Sequence, residues 1–214
     1  TEKERNMEFF SPSRAGASEL TERRSRFIGR VLGVGSEDEA RAELERARAE
    51  HRAARHHPWC CILPSGAERS SDDGEPSGTS GPPMLELLRR ENIRGAVCVV
   101  TRYFGGVLLG PGGLMRAYTA AAGAALRDSE PRRFVTKTRV RTVCSYRAAS
   151  RIKSGIAALG GELTDAKYAE NVTLEALFEP ERAAEFKRRA AEYTAGAAEV
   201  VIAGEAVVPA AADN

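Results

Sequence analysis

The sequence predicts an α+β protein of two domains, 20–130 and 131–208, the second ferredoxin-like in plan. Three observations carry that expectation. A chain of 214 residues, 42% of them hydrophobic, is long enough to bury two cores. The hydrophobic pattern breaks and restarts around Glu130-Pro131-Arg132-Arg133. Beyond that break the apolar periods run strand, helix, strand, strand, helix, strand, which is the split βαβ order. Residues 209–214 follow the last strand and are expected to fray.

Taken in order, residues 24–34 (RSRFIGRVLGV) read as a strand. Ser36, with Glu39 three residues on, forms a capping box that opens a helix to about Glu50. Ala40, Leu44 and Ala47 share one face of it and charges cover the other. Residues 59–63 make a second strand, in which adjacent Cys60 and Cys61 point to opposite faces. The stretch 65–83, rich in Ser, Gly, Asp and Pro, reads as a long loop, and Pro82 and Pro83 suit the first turn of a short helix, MLELLRREN. Residues 95–103 form a buried, β-branched strand. A glycine-rich loop over 104–113 then leads into a helix over 114–126.

In the second domain, residues 134–146 alternate like a strand, and a helix over 147–159 is ended by Gly160-Gly161. Two hairpin strands follow at 162–169 and 171–178. A helix over 181–194 is closed by Gly196, and residues 198–208 make the last strand.

The charge balance, 32 Lys+Arg against 30 Asp+Glu, excludes both a basic nucleic-acid tail and an acidic solvating chain. The first 130 residues hold 19 of each sign and the rest 13 against 11, so any nucleic-acid surface is a local patch. No apolar run reaches membrane-spanning length, and the first thirty residues do not read as a secretory signal. Cys60, Cys61, Cys98 and Cys144 make no C-x-x-C pair and read as small core hydrophobes of a reduced, cytoplasmic protein.

Two segments concentrate chemistry. In Asp72-Asp73-Gly74-Glu75-Pro76-Ser77-Gly78-Thr79-Ser80-Gly81 three carboxylates fall within four residues. That invites a hard cation, with Asp73, Glu75 and a nearby His56 as donors, but the spacing does not fit an EF-hand. The alternative is a turn-rich loop whose side chains bond local backbone N–H groups. The second segment runs from Arg102-Tyr103-Phe104-Gly105-Gly106 through Gly110, Gly112 and Gly113 to Arg116 and Tyr118. Strand, glycine loop and helix make an architecture whose free N–H groups can receive an anion. Pro111 and Gly112 stand where a Walker loop has Lys and Ser/Thr, so this is no P-loop. The alternative is that the glycines permit a tight turn and close helix packing. Arg102 and Arg116 can serve a phosphate, with Tyr103, Phe104 and Tyr118 as stacking faces; equally, Arg102 can pair with a loop carboxylate and the aromatics fill the core. No Cys/His or Ser/His/Asp nucleophile arrangement emerges from spacing.

DDGEPSGTSGPPML followed by VVTRYFGGVLLGPGGLMRAY resembles the signature of the IMPACT family, in its bacterial YigZ-like branch. The resemblance extends through Ser25-Arg26-Phe27-Ile28 and Ala54-Arg55-His56 and covers about residues 20 to 130. Pro58 stands where a Cys is common and Leu108 where the glycine loop usually carries Lys. The resemblance implies an N-terminal domain similar to the second domain of a small-subunit ribosomal protein and of elongation factor G, with a C-terminal domain similar to that factor's last domain. It implies an association with translational control, no established reaction and no cofactor. The expectation is therefore a non-catalytic, translation-associated regulator that binds RNA or the ribosome, with a translation factor as a further partner and no membrane. The alternatives are a nucleotide- or phosphate-binding enzyme built on the glycine loop and a pure protein-interaction module.

Overall fold

The computed structural model describes residues 8–210. The chain divides into two compact units at Arg133/Phe134.

The N-terminal unit contains β1 (Glu8–Ser11, whose last three residues fall in it), β2 (Gly16–Glu22), β3 (Ser25–Gly33), α1 (Glu37–Glu50), β4 (Trp59–Ile62), β5 (Glu68–Ser71), α2 (Gly81–Arg90), β6 (Ala96–Tyr103) and α3 (Gly110–Asp128). β2, β3, β6, β4 and β5 lie side by side in that order in one antiparallel sheet. β6 is its centre, and seven of its eight residues are buried, as a run of Val, Cys and Thr covered on both faces requires. Ala96, Cys98 and Val100 pack against α2 and α3, while Val97 and Val99 pack against α1. Cys60 and Cys61 divide between the same two cores. α1 starts at Ser36, whose Oγ accepts from the Glu39 N–H at 3.3 Å, and the Glu39 carboxylate reaches back to the N–H of Gly35. β1 is tied in by bonds from Phe10 N to Asn92 O and from Arg94 N to Phe10 O, both 2.9 Å.

Three strands and one helix start differ from expectation. β1 and β2 precede the first expected strand, and β5 lies inside the expected 65–83 loop. β2 and β5 are sheet edges whose residues stay largely polar and exposed, so they lack the apolar run that marks β6. α2 begins at Gly81 with Pro82 and Pro83 in its first turn, as expected, whereas α3 begins at Gly110, four residues before the expected start, because Pro111 is accommodated in its first turn.

The C-terminal unit contains β7 (Arg132–Cys144, whose last eleven residues fall in it), α4 (Tyr146–Ala158), β8 (Glu162–Tyr168), β9 (Val172–Phe178), α5 (Pro180–Thr194) and β10 (Glu199–Pro209). Its strands pair antiparallel in the order β10-β7-β9-β8, the ferredoxin-like arrangement. The two helices cover one face of this sheet over a core of Val140, Ile152, Ile156, Leu174 and Phe178, with Phe178 and Phe186 stacked at 4.7 Å. β10 ends at Pro209, and residues 211–214 of the expected tail lie outside the described residues. Among the described residues no helix is long and apolar enough to cross a membrane.

Candidate functional site

The acidic loop and the glycine loop meet through one buried cluster. Along β6 the residues that pack on α2 and α3 alternate, so Arg102 follows Cys98 and Val100 inward. Its guanidinium lies 5.6 Å from the Phe27 ring centre and 5.4 Å from that of Phe104. Nη1 donates to Glu75 Oε1 at 2.8 Å and Oε2 at 3.0 Å. The hydroxyl of Tyr118, on α3, donates to Glu75 Oε1 at 2.7 Å. Arg102 Nη2 reaches Ser25 Oγ at 3.4 Å, and that oxygen also accepts from the Gly105 N–H at 3.2 Å. The pair is almost dry, with side chains 6% and 3% exposed. Burial, followed by the Glu75 carboxylate, raises the Tyr118 hydroxyl far above its ordinary range. Of the two readings of Arg102, it is the pairing with a loop carboxylate that the structure shows: the guanidinium is buried and neutralised, because its place on β6 faces the core and Glu75 comes from the loop to meet it. Tyr118 is likewise fully buried and offers no stacking face.

The other carboxylates of the acidic loop organise the loop itself. Asp72 Oδ1 accepts from Ser80 Oγ and from the N–H groups of Ser80 and Gly81, and Oδ2 accepts from Gly78 N–H, all at 2.7–2.9 Å. It caps α2 from eight residues upstream. Burial pulls this carboxyl up, but the bonds from Ser80, Gly78 and Gly81 outweigh it and hold it below its ordinary range. Asp73, with φ of +43°, accepts from the His57 N–H at 2.7 Å and from Arg48 Nη2 at 2.8 Å. Gly74 continues the turn at φ +84°. Thr79 Oγ1 donates to the Pro76 carbonyl at 2.6 Å, while Ser77 is exposed.

The histidines have separate tasks. His56 Nδ1 lies 2.9 Å from the Asp73 carbonyl oxygen, and His57 Nδ1 lies 2.9 Å from Thr101 Oγ1. Burial lowers the pKa of His57. Asp73, Glu75 and His56, the candidate metal donors, are each engaged by protein partners, and no group of three His, Cys, Asp or Glu among the described residues could hold a metal.

The glycine loop turns an exposed tip outward. Gly105 leaves no room for a side chain, since a Cβ there would lie 2.0 Å from the carbonyl carbon of Arg24. That close approach seats the tip on the two-residue β2–β3 turn, where Arg23 (φ +44°) and Arg24 (φ +66°) are both left-handed. This is the pattern of a type I′ turn, which favours Asn-Gly. Both arginines are exposed, and neither has an ion-pair partner among the described residues. Phe104 is 55% exposed and Leu108 80%. Gly106, Gly110 and Gly112 are exposed and Gly113 half-buried, and α3 has Leu109 at its N-cap position, with no side-chain cap and no acidic residue in its first turn. Tyr103 is half-buried, bonded to His51 Nδ1 at 3.1 Å and covered by the Arg26 guanidinium at 5.6 Å. Arg116 is not part of the buried cluster; it lines a trough between α2 and α3. The polar alternation of β2 hides the hairpin in the sequence, and with it the Arg23–Arg24 turn. Two residues between Glu22 and Ser25, each flanked by alternating side chains, are the signal that could have found it.

Residues 23–126, which hold the cluster and the tip, match the Impact N-terminal domain, and residues 142–197 match a domain of unknown function, DUF1949. Over 183 residues the chain is 33% identical to the IMPACT family member YigZ of Escherichia coli K12, covering 84% of this chain and 90% of that one. The chain belongs to the IMPACT family. It is also 31% identical to the IMPACT family member YvyE of Bacillus subtilis, over 90% of this chain and 89% of that protein. The rabbit protein IMPACT is 30% identical over 117 residues, which span 36% of its length. A crystal structure of a hypothetical protein shares the fold with a TM-score of 0.63 at 30% identity, covering 91% of this chain and 97% of that chain.

Proposed function

We propose that this IMPACT family member is a non-catalytic, translation-associated protein that binds single-stranded RNA, including exposed ribosomal RNA, at the tip of its N-terminal unit. The observation that carries this reading is the packing of Gly105 on the Arg24 backbone. It sets the turn of Arg23 and Arg24, neither ion-paired among the described residues, against the loop that carries the exposed Phe104, so that phosphates and a base can be engaged together. Phe104 has one face on Arg102 and is open on the other, the arrangement of a stacking platform. The near-neutral charge of the N-terminal half makes this a local grip, weak and salt-dependent. What supports the absence of catalysis is that all three carboxylates of the acidic loop are engaged by protein donors, leaving none as a general base. The association with translation rests on the family resemblance.

A salt titration of binding to a short single-stranded RNA and to ribosomes tests the reading. Arg23→Gln/Arg24→Gln should lower the salt slope by about 0.7 for each phosphate that an arginine neutralises in the parent. Phe104→Ala should weaken binding by about 1–3 kcal/mol at every salt concentration. Unchanged binding in both variants, with melting intact, would remove the tip from the function.

A further inference from the structure

We infer that the trough between α2 and α3 is a docking site for an acidic amphipathic helix of a partner protein. α3 divides its surface cleanly. Leu114, Ala117, Tyr118 and Ala121 enter the core, while Met115, Arg116, Ala120 and Gly123 line a trough of about 870 Å³ with Leu87 of α2. Met115, 44% exposed, supplies apolar surface, and Leu87 is buried beneath the trough. Ala120, exposed on the floor, keeps it low, so that a helix can bring its backbone close.

Charge selects the occupant. On the α2 bank the ions neutralise one another, Glu86 with Arg89 at 3.2 Å and Arg90 with Glu91 at 3.6 Å. On the α3 bank Arg116 and Arg127 have no ion-pair partner among the described residues. They lie eleven residues apart on one helix, or about 16 Å at 1.5 Å per residue. A guest helix with an apolar stripe and two carboxylates about three turns apart meets both arginines while its stripe covers the floor. Nucleic acid suits the trough less well, because Glu86 and Glu91 line the opposite bank and a backbone-tracking groove is basic along its length. A second copy docked through the same face would bring like charges together.

The probe is a labelled synthetic peptide of about 18 residues with a leucine stripe at helical spacing and glutamates eleven positions apart. Its binding to the full chain is followed by fluorescence anisotropy, beside a version with lysine in place of both glutamates. The expected results are saturable binding of the acidic peptide and at least tenfold weaker binding of the lysine version. Arg116→Glu/Arg127→Glu and, separately, Ala120→Trp, which fills the trough from an exposed position, should each cost at least tenfold. Arg23→Gln/Arg24→Gln should leave peptide binding unchanged, which separates this site from the RNA reading. The inference is overturned if the acidic peptide does not saturate, if both peptides bind alike, or if Ala120→Trp binds normally. RNA binding lost in Ala120→Trp would reassign the trough to nucleic acid, and a dimer abolished by the same variant would reassign it to self-association.

Discussion

Glu75→Gln tests the buried ion pair at the centre of the N-terminal unit's two-loop cluster. In the native protein the Arg102 guanidinium is held between the Phe27 and Phe104 rings, and Glu75 is the anion that neutralises it. Its remaining bonds are poor, since Nη2 reaches Ser25 Oγ only at 3.4 Å and Nε has no partner. Glutamine keeps the shape of the side chain and an oxygen for Tyr118, so the substitution removes charge with little loss of volume. Leaving a buried ion unpaired costs about 3–5 kcal/mol, and the surviving amide oxygen puts the expected loss near the lower end, about 3 kcal/mol. That is a large share of a typical domain stability of about 5–15 kcal/mol. The chain has one tryptophan, Trp59 on β4, so urea unfolding followed by its fluorescence reports on this unit. The double variant Glu75→Gln/Arg102→Met removes both charges and should return to within about 1–2 kcal/mol of the parent. A loss below about 1 kcal/mol for Glu75→Gln, or no recovery in the double variant, would refute the assignment.

Three further outcomes are expected. Arg23→Asn/Arg24→Gly, which gives the β2–β3 turn its favoured residues, should stabilise the unit by about 1 kcal/mol while weakening RNA binding; a stability gain with binding unchanged would show the arginines have no binding role. Asp72→Asn should cost about 1 kcal/mol at pH 7 through the lost bond from Gly78 N–H and the lost charge at the start of α2. Because the native Asp72 pKa lies below the unfolded one, this contribution is present at neutral pH and is lost as pH falls from about 3.9 through the native value. Parent and variant stabilities should therefore converge in acid, as read by urea unfolding across pH. All four thiols are buried, and burial pushes those of Cys60, Cys61 and Cys144 up, so a thiol reagent should react fully only after unfolding. A fast native-state phase would contradict that packing.

What is legible in the sequence follows periodicity. The capping box at Ser36, the buried run of β6 and the strand and helix order after Arg133 come from patterns that the cores impose directly. β2 and β5 are not legible, because an edge strand with one exposed face needs few apolar residues. Charge alone assigns Arg102 to a surface. The alternation Cys98, Val100, Arg102 places it on the inner face, and there the side chain's position on the pleat outweighs its chemistry. Spacing alone leaves the convergence of the two loops open, since the pairing of Glu75 with Arg102 depends on how a long segment folds back.

The buried cluster has a consequence for the order of folding. Its bonds join residues 27, 43 and 77 positions apart, so they close only when β3, the acidic loop, β6 and α3 are all in place. Interactions of such reach carry loop-closure entropy before they return any energy, so the cluster is expected to close late in folding, which low φ-values at Glu75 and Arg102 would check. Their strength then falls on the unfolding rate rather than on the folding rate. On that expectation Glu75 and Arg102 act as a latch in time: they add little to how fast the unit assembles, and much to how long it stays assembled.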